Sequence, residues 1–149
     1  MKKHLLLLLP YLLLTGCNAF LDSIAADKTL NLVGVYEGNL SAEGVITNND
    51  MIEVLKVKDD EIKIVPYNET DASSFNAKVT RTEDDEYFLT IEPQEIDGIL
   101  IEGRSLSSND PDTHGRFDLE TKKLNYWLIL TNEEDEVFEE VFTGWKIEE

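Results

Sequence analysis

The 149-residue chain predicts an all-β fold. The simplest form is an antiparallel up-and-down β-barrel of about eight strands, with a two-sheet β-sandwich as the competing architecture. Three observations lead there. From Leu32 onward, short runs rich in Val, Ile, Leu, Phe, Tyr and Trp follow one another, each bounded by turn residues. Several of these runs alternate apolar and polar residues with a period of two. Beyond the N-terminal leader, no segment of useful length carries a helical period.

Val33 to Ser41 is the first expected strand, and Gly38 and Gly44 bracket its exit. Met51 to Val57 and Glu61 to Tyr67 form a hairpin across Asp59-Asp60. Phe75 to Thr82 and Glu86 to Glu92 pair across Glu83-Asp84-Asp85. Gly98 to Ser105 and Gly115 to Leu119 flank a polar loop. Lys123 to Thr131 and Val137 to Lys146 pair across Glu133-Glu134-Asp135-Glu136. Ile62 and Ile64 share a face opposite Glu61 and Lys63, and Tyr87, Leu89 and Ile91 oppose Phe88 and Thr90. Leu124, Tyr126, Leu128 and Leu130 oppose Asn125, Trp127 and Ile129, so that strand is apolar on both faces. The last strand is too, with Phe138 and Phe142 against Val141 and Trp145. Such strands lie centrally or form a barrel wall that meets something else. Successive short hairpins make a meander, and closing it removes sticky edges.

The leader has its own logic. Met1-Lys2-Lys3-His4 precedes a leucine run to Leu14, broken only by Pro10 and Tyr11. A positive start, a short apolar core and small residues before a cut site make a signal peptide. The run falls short of the ~20 residues that a spanning helix needs. Leu14-Thr15-Gly16-Cys17 resembles the lipobox of bacterial lipoproteins. That resemblance implies a diacylglycerol on the Cys17 thiol, cleavage before Cys17, and acylation of the new amine, as with palmitate. An ordinary secretory signal with an incidental cysteine is the alternative. Cys17 is the only cysteine, so no disulfide forms within the chain, and acylation gives a lone exported thiol a use. At ~0.8 kcal/mol per buried methylene, two or three acyl chains make a stable anchor. The expected location is the bacterial cell envelope. Asn18, in place of the Asp that retains lipoproteins at the inner membrane, leans toward the outer membrane.

The expected organisation is a signal peptide over 1–16, a lipidated tether over 17–31 and a barrel domain over 32–149. Losing Lys2 and Lys3 with the leader leaves 11 basic against 31 acidic residues, a net charge of −20. Such a chain is repelled by nucleic acid and by anionic membrane surfaces. A domain of this length buries roughly two-thirds of its unfolded surface. Asn18 to Asn31 reads as a mobile linker or as one apolar turn around Phe20, Leu21 and Ile24. Extended, it reaches about 45–50 Å. Within it, Asp22-Ser23-Ile24 resembles the short O-glycosylation sequon of Bacteroidota envelope proteins.

Leu32-Val33-Gly34-Val35-Tyr36-Glu37-Gly38 resembles the first strand of calycin-like and lipocalin-like bacterial lipoproteins. Phe142-Thr143-Gly144-Trp145-Lys146 resembles their last strand, and Gly115-Arg116-Phe117-Asp118 their late hairpin. Tyr36 stands where lipocalins carry Trp, and Lys146 where Arg is usual. The resemblance implies that Gly34 permits a close approach, that Tyr36 plugs one end, and that Lys146 lies across its ring by cation–π contact. The alternative makes Tyr36 a plain core aromatic and Lys146 a solvated end residue. The expected function is non-enzymatic binding of a lipid or other hydrophobic ligand. Tyr87, Leu89 and Ile91, with Tyr126, Leu128 and Leu130, are its expected lining. A barrel filled by its own side chains is the alternative. It would act through its outer surface, as an interaction module or an inhibitor of an envelope enzyme, with Trp127 and Trp145 as anchors if exposed. An internal apolar pocket of roughly 300 Å³ or more favours the first reading.

Signals for catalysis are weak. His114 is the only histidine after cleavage, in Asp110-Pro111-Asp112-Thr113-His114-Gly115 near Ser105, Ser107 and Ser108. No Gly-x-Ser-x-Gly elbow accompanies it, and a zinc ligand set is missing. Asn109, Asp110 and Asp112 offer oxygens to calcium or, more simply, fold on their own backbone as Asx turns. The acidic tips at Glu83 to Glu86 and Glu133 to Glu136 fit solvated hairpin ends better than paired catalytic carboxylates. No cofactor or metal is expected.

Overall fold

The computed structural model describes residues 27–67, 74–81 and 86–147. The leader, Cys17, the first part of the tether and the Glu83-Asp84-Asp85 tip lie outside the described residues. The strands are β1 (Gly34–Ala42), β2 (Val45–Lys58), β3 (Glu61–Pro66), β4 (Phe75–Arg81) and β5 (Glu86–Thr90). They continue as β6 (Gln94–Ile96), β7 (Ile99–Gly103), β8 (Gly115–Asp118), β9 (Lys123–Thr131) and β10 (Val137–Lys146). Every pairing is antiparallel. The ring runs β1-β2-β3-β4-β5-β8-β9-β10, and β10 pairs back onto β1. The fold is therefore a closed eight-strand antiparallel barrel, consistent with a calycin-like one.

β9 and β10 match their expected bounds because both are long, apolar and joined by a tight polar turn. β2 is longer than expected. Its first half, Val45 to Asp50, contains Asn48-Asn49, which reads as a turn. Asn49 instead takes φ 60 as the extra residue of a bulge facing Gly38 and Asn39. The preceding turn has φ 52 at Glu43 and φ 79 at Gly44, the left-handed pair that a two-residue hairpin favours. The β6–β7 hairpin stands outside the ring. β9 pairs with β8 along its first half and with β7 along its second, so β7 and β8 lie end to end on one edge of β9.

Alternation sends one face of each strand inward. Tyr36, Val54, Ile62, Leu89, Leu124 and Phe142 are all fully buried. Phe117 meets Tyr36 edge-on at 6.2 Å and Tyr87 at 5.8 Å, an arrangement aromatic rings prefer. Gly38 makes the β1–β10 contact possible, since a Cβ there would lie 2.1 Å from the Thr143 carbonyl oxygen.

Asp27 to Asn31, expected as the end of the tether, packs onto the barrel and closes it. Thr29 and Leu32 are fully buried. The Asp27 carboxylate accepts from the Thr29 N–H at 2.9 Å and from its hydroxyl at 2.8 Å, a local Asx turn. The Lys28 N–H donates to the Asp59 carbonyl, and the Tyr36 hydroxyl donates to the Leu32 carbonyl at 2.6 Å. Asn31 Nδ2 donates to the Tyr87 hydroxyl at 2.7 Å. This is the closed end. It also holds the β2–β3 and β8–β9 turns, with Lys56, Lys58, Lys122, Lys123 and Lys146. The opposite, open end holds the β1–β2 and β9–β10 turns, where Glu43 and Glu133 to Glu136 sit.

Candidate functional site

The residues expected to line a cavity largely fill one another's space. Tyr87, Leu89, Ile91 and Leu128 are buried in the packed interior, and Leu130 packs half-buried against it. Tyr126 marks where the packing stops. It is 2% exposed, stacks on Phe142 at 5.3 Å and meets Phe75 edge-on at 5.2 Å. Above it, at the open end, lies a hollow of about 200 Å³. Its apolar wall is Leu40, Ile52, Ile64, Pro66 and Phe75. Its polar groups are Asp50, Tyr126 and Glu140.

Sequence reasoning missed the two acids. Glu140 shares the inward face of β10 with Phe138 and Phe142, a period-two signal that was present but masked by the neighbouring Glu139. Asp50 sits beside the bulge, on the same inward face as Ile52 and Val54. Burial pushes the Glu140 carboxyl up to about 7, and the charge of Asp50 adds to the rise. The Tyr126 hydroxyl is held well above its usual range by burial, then by Glu140 and Asp50. Among the described residues, none of these three side chains has a hydrogen-bond or ion-pair partner.

At the closed end, Gly34 has φ 144, and a Cβ there would lie 2.6 Å from Lys146 Cε. The close approach expected of Gly34 is thus to the lysine chain. The Lys146 ammonium reaches past Gly34 to the Asn31 carbonyl at 3.1 Å. That replaces the expected contact across Tyr36, whose hydroxyl is already turned to Leu32. Burial, then the charge of Lys122, lowers the Lys146 pKa. The cation–π contacts among the described residues are Arg104 over Trp127 at 4.4 Å and Lys123 near Trp145 at 5.4 Å. A larger hollow of about 650 Å³ runs along the outer wall here, beside Val33, Val35 and Glu53.

His114 stitches a loop. Its Nδ1 accepts from the Ile91 N–H at 2.9 Å and its Nε2 faces the Pro111 carbonyl at 3.1 Å, which assigns the proton to Nε2. Asp110 accepts from the Thr113 hydroxyl and the Asp112 N–H, the self-folded Asx arrangement. Among the described residues no group of three or more His, Cys, Asp or Glu is placed to hold a metal ion. Asn132 organises the acidic β9–β10 tip by accepting from the Glu134 and Glu136 N–H groups, each at 2.9 Å. Trp145 is 49% exposed, and Trp127 lies half-buried beneath Arg104. Compared with known proteins, the chain matches no family model, no curated protein and no solved structure.

Proposed function

We propose that this is a lipid-anchored protein of the bacterial envelope, with the outer membrane favoured, that binds a small ligand at the mouth of a filled barrel without chemical turnover. The observation that carries this reading is the hollow of about 200 Å³ above Tyr126. Ordinary ligand pockets span about 300–1,000 Å³. The mouth therefore suits a compact molecule with a short apolar body, and the packed layer of Tyr126, Phe142 and Leu128 stops a long acyl chain from entering further. Lipobox-directed acylation at Cys17 would hold the protein on the membrane.

Native mass spectrometry tests the reading. The protein is purified from its own envelope beside a soluble Cys17→Ser form. Non-covalent mass below that of a phospholipid, carried by both forms and lost on denaturation, is expected. Clean apo masses from both, under conditions where a known lipid binder keeps its cargo, would sink it. A second reading, a protein-interaction module, draws on exposed Trp145 and on Val45, Ile46 and Val137, which are exposed near the open-end turns. A stable co-purifying protein with an empty mouth would favour it.

A further inference from the structure

We infer that the open mouth is a receptor for an alkylammonium group carried on a short apolar stem. The inference rests on the mouth being the ligand site and names the ligand class. Three elements converge on the hollow with one polar side chain each: Asp50 from β2, Tyr126 from β9 and Glu140 from β10. Buried polar groups in native proteins nearly always have partners, yet Tyr126, almost fully buried, and the half-buried Asp50 and Glu140 have none among the described residues. Leaving a buried carboxylate unpaired is costly. What they lack is a donor-rich cation. An ionised carboxylate only accepts, a phenol oxygen accepts as well, and an ammonium offers three donors and no acceptor. The stem would lie against Leu40, Ile64 and Phe75.

The surroundings select the same charge. Glu43 and the turn from Glu133 to Glu136 put acids without lysines at the open end, while the closed end mixes its lysines with acids such as Asp59, Asp60 and Glu120. A field of this sign draws in cations and turns away carboxylates and phosphates. A neutral ligand enters freely but leaves both acids unpaired.

Binding should also depend on pH. Among the described residues, the ionisable groups that face Glu140 are Asp50 from β2 and Tyr126 from β9; the wall supplied by β1, β3 and β4 is Leu40, Ile64, Pro66 and Phe75, which carry no charge. With Glu140 near 7, acidification protonates it and removes half of the counter-charge. An alkylamine stays protonated throughout. Affinity should therefore fall as pH falls, by about thirtyfold from pH 8 to pH 5.5 if only ionised Glu140 binds.

Calorimetric titration of the mature chain carrying Cys17→Ser decides the matter, with pentylammonium and its neutral counterpart pentanol as probes. Pentylammonium should bind at least about tenfold more tightly than pentanol at pH 8. The preference should vanish in Glu140→Gln combined with Asp50→Asn, whose fold is checked by near-UV circular dichroism. Equal binding of the two probes overturns the ammonium class and leaves the mouth as a site for neutral ligands. Binding of neither overturns both the class and the mouth reading. An ammonium preference that survives the double variant places the cation elsewhere and overturns the proposal. If the double variant unfolds, Glu140→Gln alone must still lose the pH dependence.

Discussion

The two ends of the barrel are built from the same strands and treat polar groups in opposite ways. At the closed end the Tyr36 hydroxyl donates to Leu32, Asn31 donates to Tyr87, and Asp27 is satisfied by Thr29 and Lys56. At the open end Tyr126 is buried, Asp50 and Glu140 are half-buried, and none of the three has a polar partner among the described residues. Proteins break local rules of polar satisfaction mostly where function requires it. The difference separates a region whose polar groups tie the fold together from one whose polar groups find no partner among the described residues.

The harshest test of that contrast truncates one apolar side chain at each end. Phe117→Ala takes away the ring between Tyr36 and Tyr87 and should lose about 3–5 kcal/mol. Leu40→Ala, half-buried beside the hollow, should lose about 1 kcal/mol. Urea unfolding followed by Trp127 and Trp145 fluorescence measures both. Equal losses would break the contrast.

Next in size is Glu140→Gln. The carboxyl's folded value of about 7 lies above its unfolded value of 4.5, so the folded state holds a proton that the unfolded state has released. The sign follows: stability from this group is greatest below pH 4.5 and declines up to about pH 7. The substitution should gain about 1–3 kcal/mol at pH 8 and nothing near pH 4. Thermal unfolding across that range reads it, and a loss at pH 8 would contradict the unpaired acid.

Two tyrosines sharpen the comparison further. Tyr36→Phe should lose about 1 kcal/mol with its bond to Leu32. Tyr126→Phe, whose hydroxyl has no partner among the described residues, should be neutral or slightly stabilising in the same urea series.

A small, salt-sensitive effect belongs to Asp27. Burial works against its charge, but Lys56 and the two groups of Thr29 outweigh that and hold the carboxyl below 3.8. Its contribution is present above that value and is lost as pH falls through the lowered one. Asp27→Asn should lose at most about 1 kcal/mol at pH 7 and less in high salt.

Much of the wall was legible in the sequence. β9 and β10 follow from period-two patterning over nine and ten residues, joined by a turn of Asn132 and four acidic residues. The closing plug was not legible. Asp27 to Asn31 has no periodicity, and only the three-dimensional position of Asp59, Tyr36 and Tyr87 gives it partners. The first half of β2 hid behind Asn48-Asn49, because a bulge and a turn use the same residue types. β6, three residues long, gives too little pattern to read. At the candidate site, Tyr126 came from alternation. Glu140 obeys the same rule as Phe138 and Phe142, but an acid gives no apolar signal that would mark it as inward-facing. Asp50 lay in the stretch of β2 that was not recognised as strand.

β1 enters directly from the plug, runs the length of the wall, and is paired along both edges. Its partners are β2 from Gly34 to Ala42 and β10 from Tyr36 to Ala42. Tension applied at Asp27 and resisted at the opposite rim is therefore carried along the strand axis. Its backbone bonds stand perpendicular to that pull and share the load at once, as rivets do in shear. Tugging on the chain should not unzip the barrel pair by pair, so the domain is mechanically suited to hang from its own first strand.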